Sequence, residues 1–192
     1  MKNLLLPVFF LFSVTLFAQK HVYDVELFGK KIGQTIVERI DKGNGEVLFK
    51  LQSKSDVNIL FTHKTSVMNT DVIYKDGKLI SSYCKNVKDG VTEIVSVAWN
   101  GTKYIIKKGE EALQLTQLLD FSSILLYYGE PVGKTKIFSE RLGQICSFVK
   151  TAEGEYECKL ANGITNIYRY KKGVLYELEM SKGASVFMKL VQ

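Results

Sequence analysis

Apolar and polar residues alternate with a period of two along most of the chain, as in strands with one buried face. Tyr23, Val25 and Leu27 alternate with Asp24 and Glu26 before a break at Gly29-Lys30-Lys31. Ile32, Ile36 and Ile40 carry a second strand, and Gly43-Asn44-Gly45 turns into a third with Val47, Phe49 and Leu51 on one face. Residues 53–62 are more polar, and the alternation resumes at Val67. Asp76-Gly77, Asp89-Gly90, Asn100-Gly101 and Asn162-Gly163 are dipeptides that tight hairpins favour, because both central residues need positive φ. Lys172-Gly173 and Lys182-Gly183 are weaker versions of the same signal.

Counting outward from these turns sets the pairing. Asn100-Gly101 places Trp99 opposite Thr102, Val97 opposite Tyr104, Val95 opposite Ile106 and Glu93 opposite Lys108. Lys172-Gly173 sets Ile167 opposite Leu178 and Thr165 opposite Met180, and Asn162-Gly163 sets Cys158 opposite Ile167. The registers agree on which face is inside, which predicts a meander of about a dozen strands rather than a sandwich with long crossovers. One stretch, Gln117 to Pro131, breaks the pattern. Phe121, Ile124, Leu125 and Tyr128 stand at i, i+3, i+4 and i+7 and share one face of a short helix over about 120–128, with Asp120 as N-cap, Gly129 as stop and Pro131 barring continuation. The fold class expected is mostly β: a single long antiparallel meander curled by its twist into a barrel or half-barrel, with that one helix covering it.

Composition changes this picture little. At 192 residues, 46% hydrophobic and 24% charged, residues 19–192 suit one β-meander domain. Residues 1–18 read as a secretory signal peptide: Lys2, an uncharged run to Phe17, then small Ala18. The apolar run falls short of the roughly 20 residues a spanning helix needs, so no integral span is expected once it is removed. Its loss takes away Lys2 and no acid, leaving the net charge one unit below +6. That excess sits largely in Lys-Lys pairs at 30/31, 107/108 and 171/172, near turns, where lysines discourage edge pairing. Nothing interleaves it with aromatics on one face, so a nucleic-acid partner is not expected. Aromatics are 11% of the chain and fall mostly on strands, where they either fill the interior or line a cavity.

Three cysteines in an exported chain leave at least one unpaired. Cys146 and Cys158 flank the turn Thr151-Ala152-Glu153-Gly154, and a loop of odd length centred on Ala152 would set them face to face, with Phe148 opposite Tyr156. They are either a candidate disulfide or two buried thiols; Cys84 reads as core. The spacings match no zinc motif, and no metal or other cofactor is expected.

The opening Tyr23-Asp24-Val25 with Gly29 and Ile32-Gly33, the central Asp120-Phe121-Ser122 leading into Leu125-Leu126-Tyr127-Tyr128, and the closing Tyr168 to Gly173 hairpin resemble a bacterial domain-of-unknown-function family of exported proteins. Its architecture is similar to the LolA/LolB carriers, whose curved antiparallel sheet surrounds an apolar cavity. The resemblance implies a Gram-negative periplasmic setting and carries no catalytic residue across.

The chemistry available is sparse. His21 sits near the expected mature N-terminus, His63 lies beside Lys64 on a strand, Asp120 is explained by capping and Glu130 by solvation. No nucleophile elbow or phosphate loop occurs, so the chain is not expected to be an enzyme. The expectation is a periplasmic or secreted protein holding an apolar or amphipathic ligand beneath the helix, with Phe121, Ile124, Leu125 and Tyr128 facing the enclosed space. The alternative is a structural or protein-interaction component of the envelope, working through a strand edge or an aromatic patch.

Overall fold

The computed structural model describes residues 18–59, 62–160 and 163–191. The segment read as a signal peptide lies outside them apart from Ala18, as does Asn162 of the expected Asn162-Gly163 turn. Among the described residues, fourteen strands form one antiparallel sheet. The first half of the chain supplies β1 (Ala18–Leu27), β2 (Lys30–Gly43), β3 (Glu46–Ile59), β4 (Thr62–Lys75), β5 (Lys78–Lys88), β6 (Val91–Trp99), β7 (Tyr104–Lys108) and β8 (Glu111–Leu115). The second supplies β9 (Lys136–Ser139), β10 (Gln144–Ala152), β11 (Glu155–Lys159), β12 (Thr165–Lys171), β13 (Val174–Lys182) and β14 (Ala184–Leu190). Each strand pairs with its sequence neighbours, except that β8 and β9 do not meet and β14 pairs with β1. The sheet is therefore open, and its two edges are consecutive in the chain.

Most turn signals work as expected. Asn44, Asp76, Asp89 and Lys172 take φ of 51°, 50°, 50° and 53°, each followed by a glycine at positive φ. Four registers differ, one of them in the β10–β11 hairpin, where Phe148 lies opposite Cys158 and not opposite Tyr156. At Asn100 the side-chain Oδ1 accepts the N–H groups of Thr102 and Lys103, which widens the turn and pairs Trp99 with Tyr104 and Val97 with Ile106. That slip of two residues preserves each side chain's face, so Val95, Val97, Tyr104 and Ile106 are all buried. A bulge between Arg169 and Tyr170 shifts the rest of β12 by one residue, so Tyr168 rather than Ile167 lies opposite Leu178. Cys158 pairs with Asn166, not Ile167, one residue from the expected register.

The expected helix is a 3-10 helix, Ser123–Tyr127, shorter than 120–128. Its cap is Ser122 in extended conformation, while Asp120 is exposed and pairs with Lys134 at 2.8 Å. Three residues per turn replace the α-helical face with another one. Ile124, Leu126 and Tyr127 are buried, whereas Phe121, Leu125 and Tyr128 are half-buried at its margin.

The linking segment between β8 and β9 enters the curl and plugs it. Leu79 N–H donates to Leu119 O at 2.9 Å, and Tyr104 OH ties β5 to the linking segment by donating to Leu79 O and accepting from Leu119 N–H. Phe138 N–H donates to Phe121 O at 3.2 Å, so edge β9 is partly covered by the plug. Tyr170 OH donates to Leu126 O at 2.8 Å, and His21 Nδ1 lies 2.8 Å from Tyr127 O. A carbonyl can only accept, so His21 carries its proton on Nδ1 there. His21, expected at a frayed end, is thus pinned to the plug and stacked on Tyr128. Outside the curl, Arg169 joins β11, β12 and β13 by pairing with Glu155, Glu177 and Glu179 at 2.7–3.1 Å.

Leu126 has no exposed surface and sits at the centre of this arrangement. Leu126→Ala is expected to lower stability by about 2–5 kcal/mol through lost burial and a cavity. Urea unfolding checks this; a shift comparable to an exposed-site control such as Leu118→Ala would mean the plug bears no structural weight.

Candidate functional site

Antiparallel registers sort the hairpin tips to two ends of the curl. Leu27 opposite Val186, Gly33 opposite Ser55, Ser66 opposite Lys88 and Thr165 opposite Ser181 bring the β1–β2, β3–β4, β5–β6, β11–β12 and β13–β14 tips to one end, termed the mouth. The inner rows shrink and become polar toward it. On β3, Phe49 and Leu51 give way to Ser53 and Ser55; on β4, Tyr74 and Val72 give way to Thr70, Met68 and Ser66. On β12, Tyr170 and Tyr168 are followed by Asn166. Large side chains fill the floor, where Phe49 meets Tyr74 edge to face and Phe148 stacks on Tyr156. Short ones leave a cavity of about 370 Å³ between the 3-10 helix and the mouth.

Its lining is mixed. Met68, Met180, Met188 and Leu178 give an apolar wall, while Thr35 and Ser53 face each other with hydroxyl oxygens 2.7 Å apart. Asn166 donates through Nδ2 to Tyr168 OH, and its Oδ1 is buried without a partner.

The β9–β10 turn, residues 140–143, brings charge into this space. It closes by Gly143 N–H donating to Ser139 O at 2.8 Å. Glu140 is 3% exposed. Its carboxyl accepts from Ser122 Oγ at 2.5 Å, from Ser123 Oγ, and from Ile124 N–H at 3.2 Å; Tyr74 OH in turn donates to Ser122 Oγ at 2.8 Å. Burial raises the Glu140 carboxyl above the ordinary carboxylate range, outweighing the hydrogen bonds from Ser122, Ser123 and Ile124 that favour its charged form. Arg141 follows, lining the cavity with its Nε buried and unpartnered. Neither residue was singled out from the sequence: Ser139 to Gly143 has the composition of an ordinary solvated turn.

Of the four expected ligand-facing residues, Ile124 lines the cavity; Phe121, Leu125 and Tyr128 do not, and Tyr127 does. This follows from the 3-10 period. Cys146 and Cys158 are free and buried. The chain turns at Glu153-Gly154, beyond Ala152, and with the bulge between Lys150 and Ala152 this sets Phe148, not Cys146, opposite Cys158, and Cys146 opposite Ile137. The thiols still neighbour each other: hydrogen bonding between them draws Cys146 down and pushes Cys158 up. His63 meets Asp56 at 2.7 Å on an exposed strand pair away from the cavity. Glu130 accepts from Tyr156 OH at 2.8 Å and so helps hold the floor. Among the described residues, no group of three or more His, Cys, Asp or Glu is placed to hold a metal ion, and no helix is long and apolar enough to cross a membrane.

Comparison with known proteins adds a family and a fold. The family model for DUF6134, a domain of unknown function, matches residues 23–191. No curated protein matches the chain. A solved structure similar to it is a beta-barrel-like protein of domain of unknown function DUF1849 from Brucella abortus, 16% identical, covering 93% of this chain and 98% of that one with a TM-score of 0.58. At that identity the likeness concerns the fold alone.

The raised Glu140 carboxyl links stability to pH. As pH rises above the ordinary value of 4.5, the native state keeps a proton that the unfolded chain gives up. Stability therefore falls with rising pH until the native carboxyl itself ionises. Glu140→Gln is expected to remove that slope, and Glu140→Ala to lower stability by about 1–3 kcal/mol by leaving Ser122, Ser123 and the Ile124 N–H without their acceptor. Urea midpoints from about pH 4 to about pH 8 check both; parallel profiles for wild type and Glu140→Gln would count against this account.

Proposed function

The chain belongs to the DUF6134 family, a domain of unknown function, and we propose that it is an exported binding protein of the bacterial envelope that holds one small apolar or amphipathic molecule inside its curled sheet. The observation that supports this is the hollow beneath the mouth: about 370 Å³, with inner-facing residues that change from aromatic to short along several strands at once. A barrel built only for stability gains from continuing its aromatic rows to the mouth, since unfilled volume costs packing energy. Export is the reading of Lys2, the apolar run after it and Ala18.

The carrier role resembles that of the LolA/LolB proteins in kind, with a smaller load. At a share of about 30 Å³ for each small group, the cavity takes roughly a dozen non-hydrogen atoms, or part of a longer chain that emerges at the mouth. The lining uses Met68, Met180 and Met188, whose flexible thioethers adapt to an irregular guest. Apart from Met1, these are all the methionines of the chain.

Native mass spectrometry of protein purified from its own compartment tests the reading. A small adduct is expected, lost on organic extraction and regained on adding dodecanol. Met68→Trp, which fills the space from β4, is expected to lower uptake by roughly tenfold or more without changing the far-ultraviolet circular dichroism. A clean apo mass together with no uptake of added dodecanol would discard the proposal.

A further inference from the structure

We infer that the cavity is built for a single-chain amphiphile with an anionic head, a carboxylate or a phosphate monoester, and that Arg141 is the residue that binds the head. This rests on the binding role proposed above and specifies its ligand.

The position of Arg141 is the first argument. A charged residue in a hairpin turn ordinarily stands in water, where its hydration is undisturbed. Here the β9–β10 turn is pressed against the inner wall. Gly143 sits at φ +67°, and a Cβ placed on it would lie 3.0 Å from Ile106 Cγ2 and 3.1 Å from Val95 Cγ1, both side chains of the buried inner face. The turn thus packs on the inner face of β6 and β7, and Arg141 lines the cavity.

The second argument is that its charge is unanswered. Arg141 forms no ion pair among the described residues, and its Nε is buried without a hydrogen-bond partner. The adjacent carboxyl, Glu140, is occupied by Ser122, Ser123 and the Ile124 N–H. The other charged side chain of the lining is Lys88, at the rim. The lining therefore holds two cations against one carboxyl that burial drives toward its neutral form. A guanidinium in apolar surroundings is matched by an oxyanion that can take two of its N–H groups at once.

The third argument is shape. The apolar wall of Met68, Met180, Met188 and Leu178 lines the same space as Arg141, about 370 Å³, too small for two acyl chains by the ~30 Å³ share used above. One chain with one anionic end satisfies both the wall and the guanidinium.

The test is isothermal titration of delipidated full chain with dodecanoate, dodecyl phosphate, dodecanol and dodecylammonium, below their micelle concentrations. Wild type is expected to bind at least one of the two anions roughly tenfold or more tighter than dodecanol, and dodecylammonium weakest. The anion bound more tightly identifies the head. Arg141→Met is expected to bring anion and alcohol to within about twofold of each other through loss of anion affinity. Should that variant not fold, the wild-type order of the four ligands decides alone. Equal affinity for anions and alcohol overturns the anionic head while the binding role stands; no binding of any of the four overturns both.

Discussion

A long antiparallel sheet has two unpaired edges, and its right-handed twist curls it until those edges approach each other. In this protein that constraint governs everything else. The edges are β8 and β9, and they do not pair. The chain between them in sequence, residues 116–135, packs inside the curl together with the β9–β10 turn. The segment satisfies edge β9 through Phe121 and reaches across the interior to Leu79, Tyr104 and Tyr170. A closed barrel would have had no need of it. The open one is sealed by its own linker, and the interior chemistry is what the linker and turn bring in.

That dependence explains why Glu140 is tolerated. A buried carboxyl is expensive unless its hydrogen bonds are met. Ser122 and Ser123 meet them at the start of the 3-10 helix, and Tyr74 completes the relay by donating to Ser122. The same contacts fix the helix to the β9–β10 turn, so a polar network inside an apolar barrel sets the position of the plug relative to the wall. Arg141 is held inward as a consequence, being the next residue in that turn.

Much of the sheet was legible in the sequence, because period two and the Asp-Gly and Asn-Gly turns are local signals. Val95, Val97 and Ile106 face inward as the pattern implied, even though the Asn100 turn is wider, since a slip of two residues preserves the face. A slip of one does not, and the bulge at Arg169/Tyr170 produced one, turning Ile167 away from Leu178; in β10 the slip is again of two, so Cys146 left Cys158 while both stayed on the buried face. Bulges answer to curvature, which no local pattern of residues announces. The helix was legible as an interruption but not as a type, because Phe121, Ile124 and Tyr127 fit a period of three as readily as Phe121, Ile124, Leu125 and Tyr128 fit 3.6. The cavity left a trace that could have been followed: the polar stretch after Leu51 is the point where the wall stops being filled. Glu140 and Arg141 left none. A charged pair before a glycine reads as surface, and only the arrival of Ser122, Ser123 and the inner wall of β6 and β7 makes it otherwise.

The pairing of β1 with β14 bears on how the molecule comes into being. Tyr23 finds its partner in Leu190, so the middle of the finished sheet is made from the first strand and the last. Every other pairing joins strands adjacent in the chain and can form as the nascent polypeptide lengthens. During synthesis β1 waits with a bare flank until β14 emerges, and the two half-sheets then zip together in a single late event. Until that moment the half-made protein offers more open edges than the finished one, a hazard that favours holding the chain extended until it is complete.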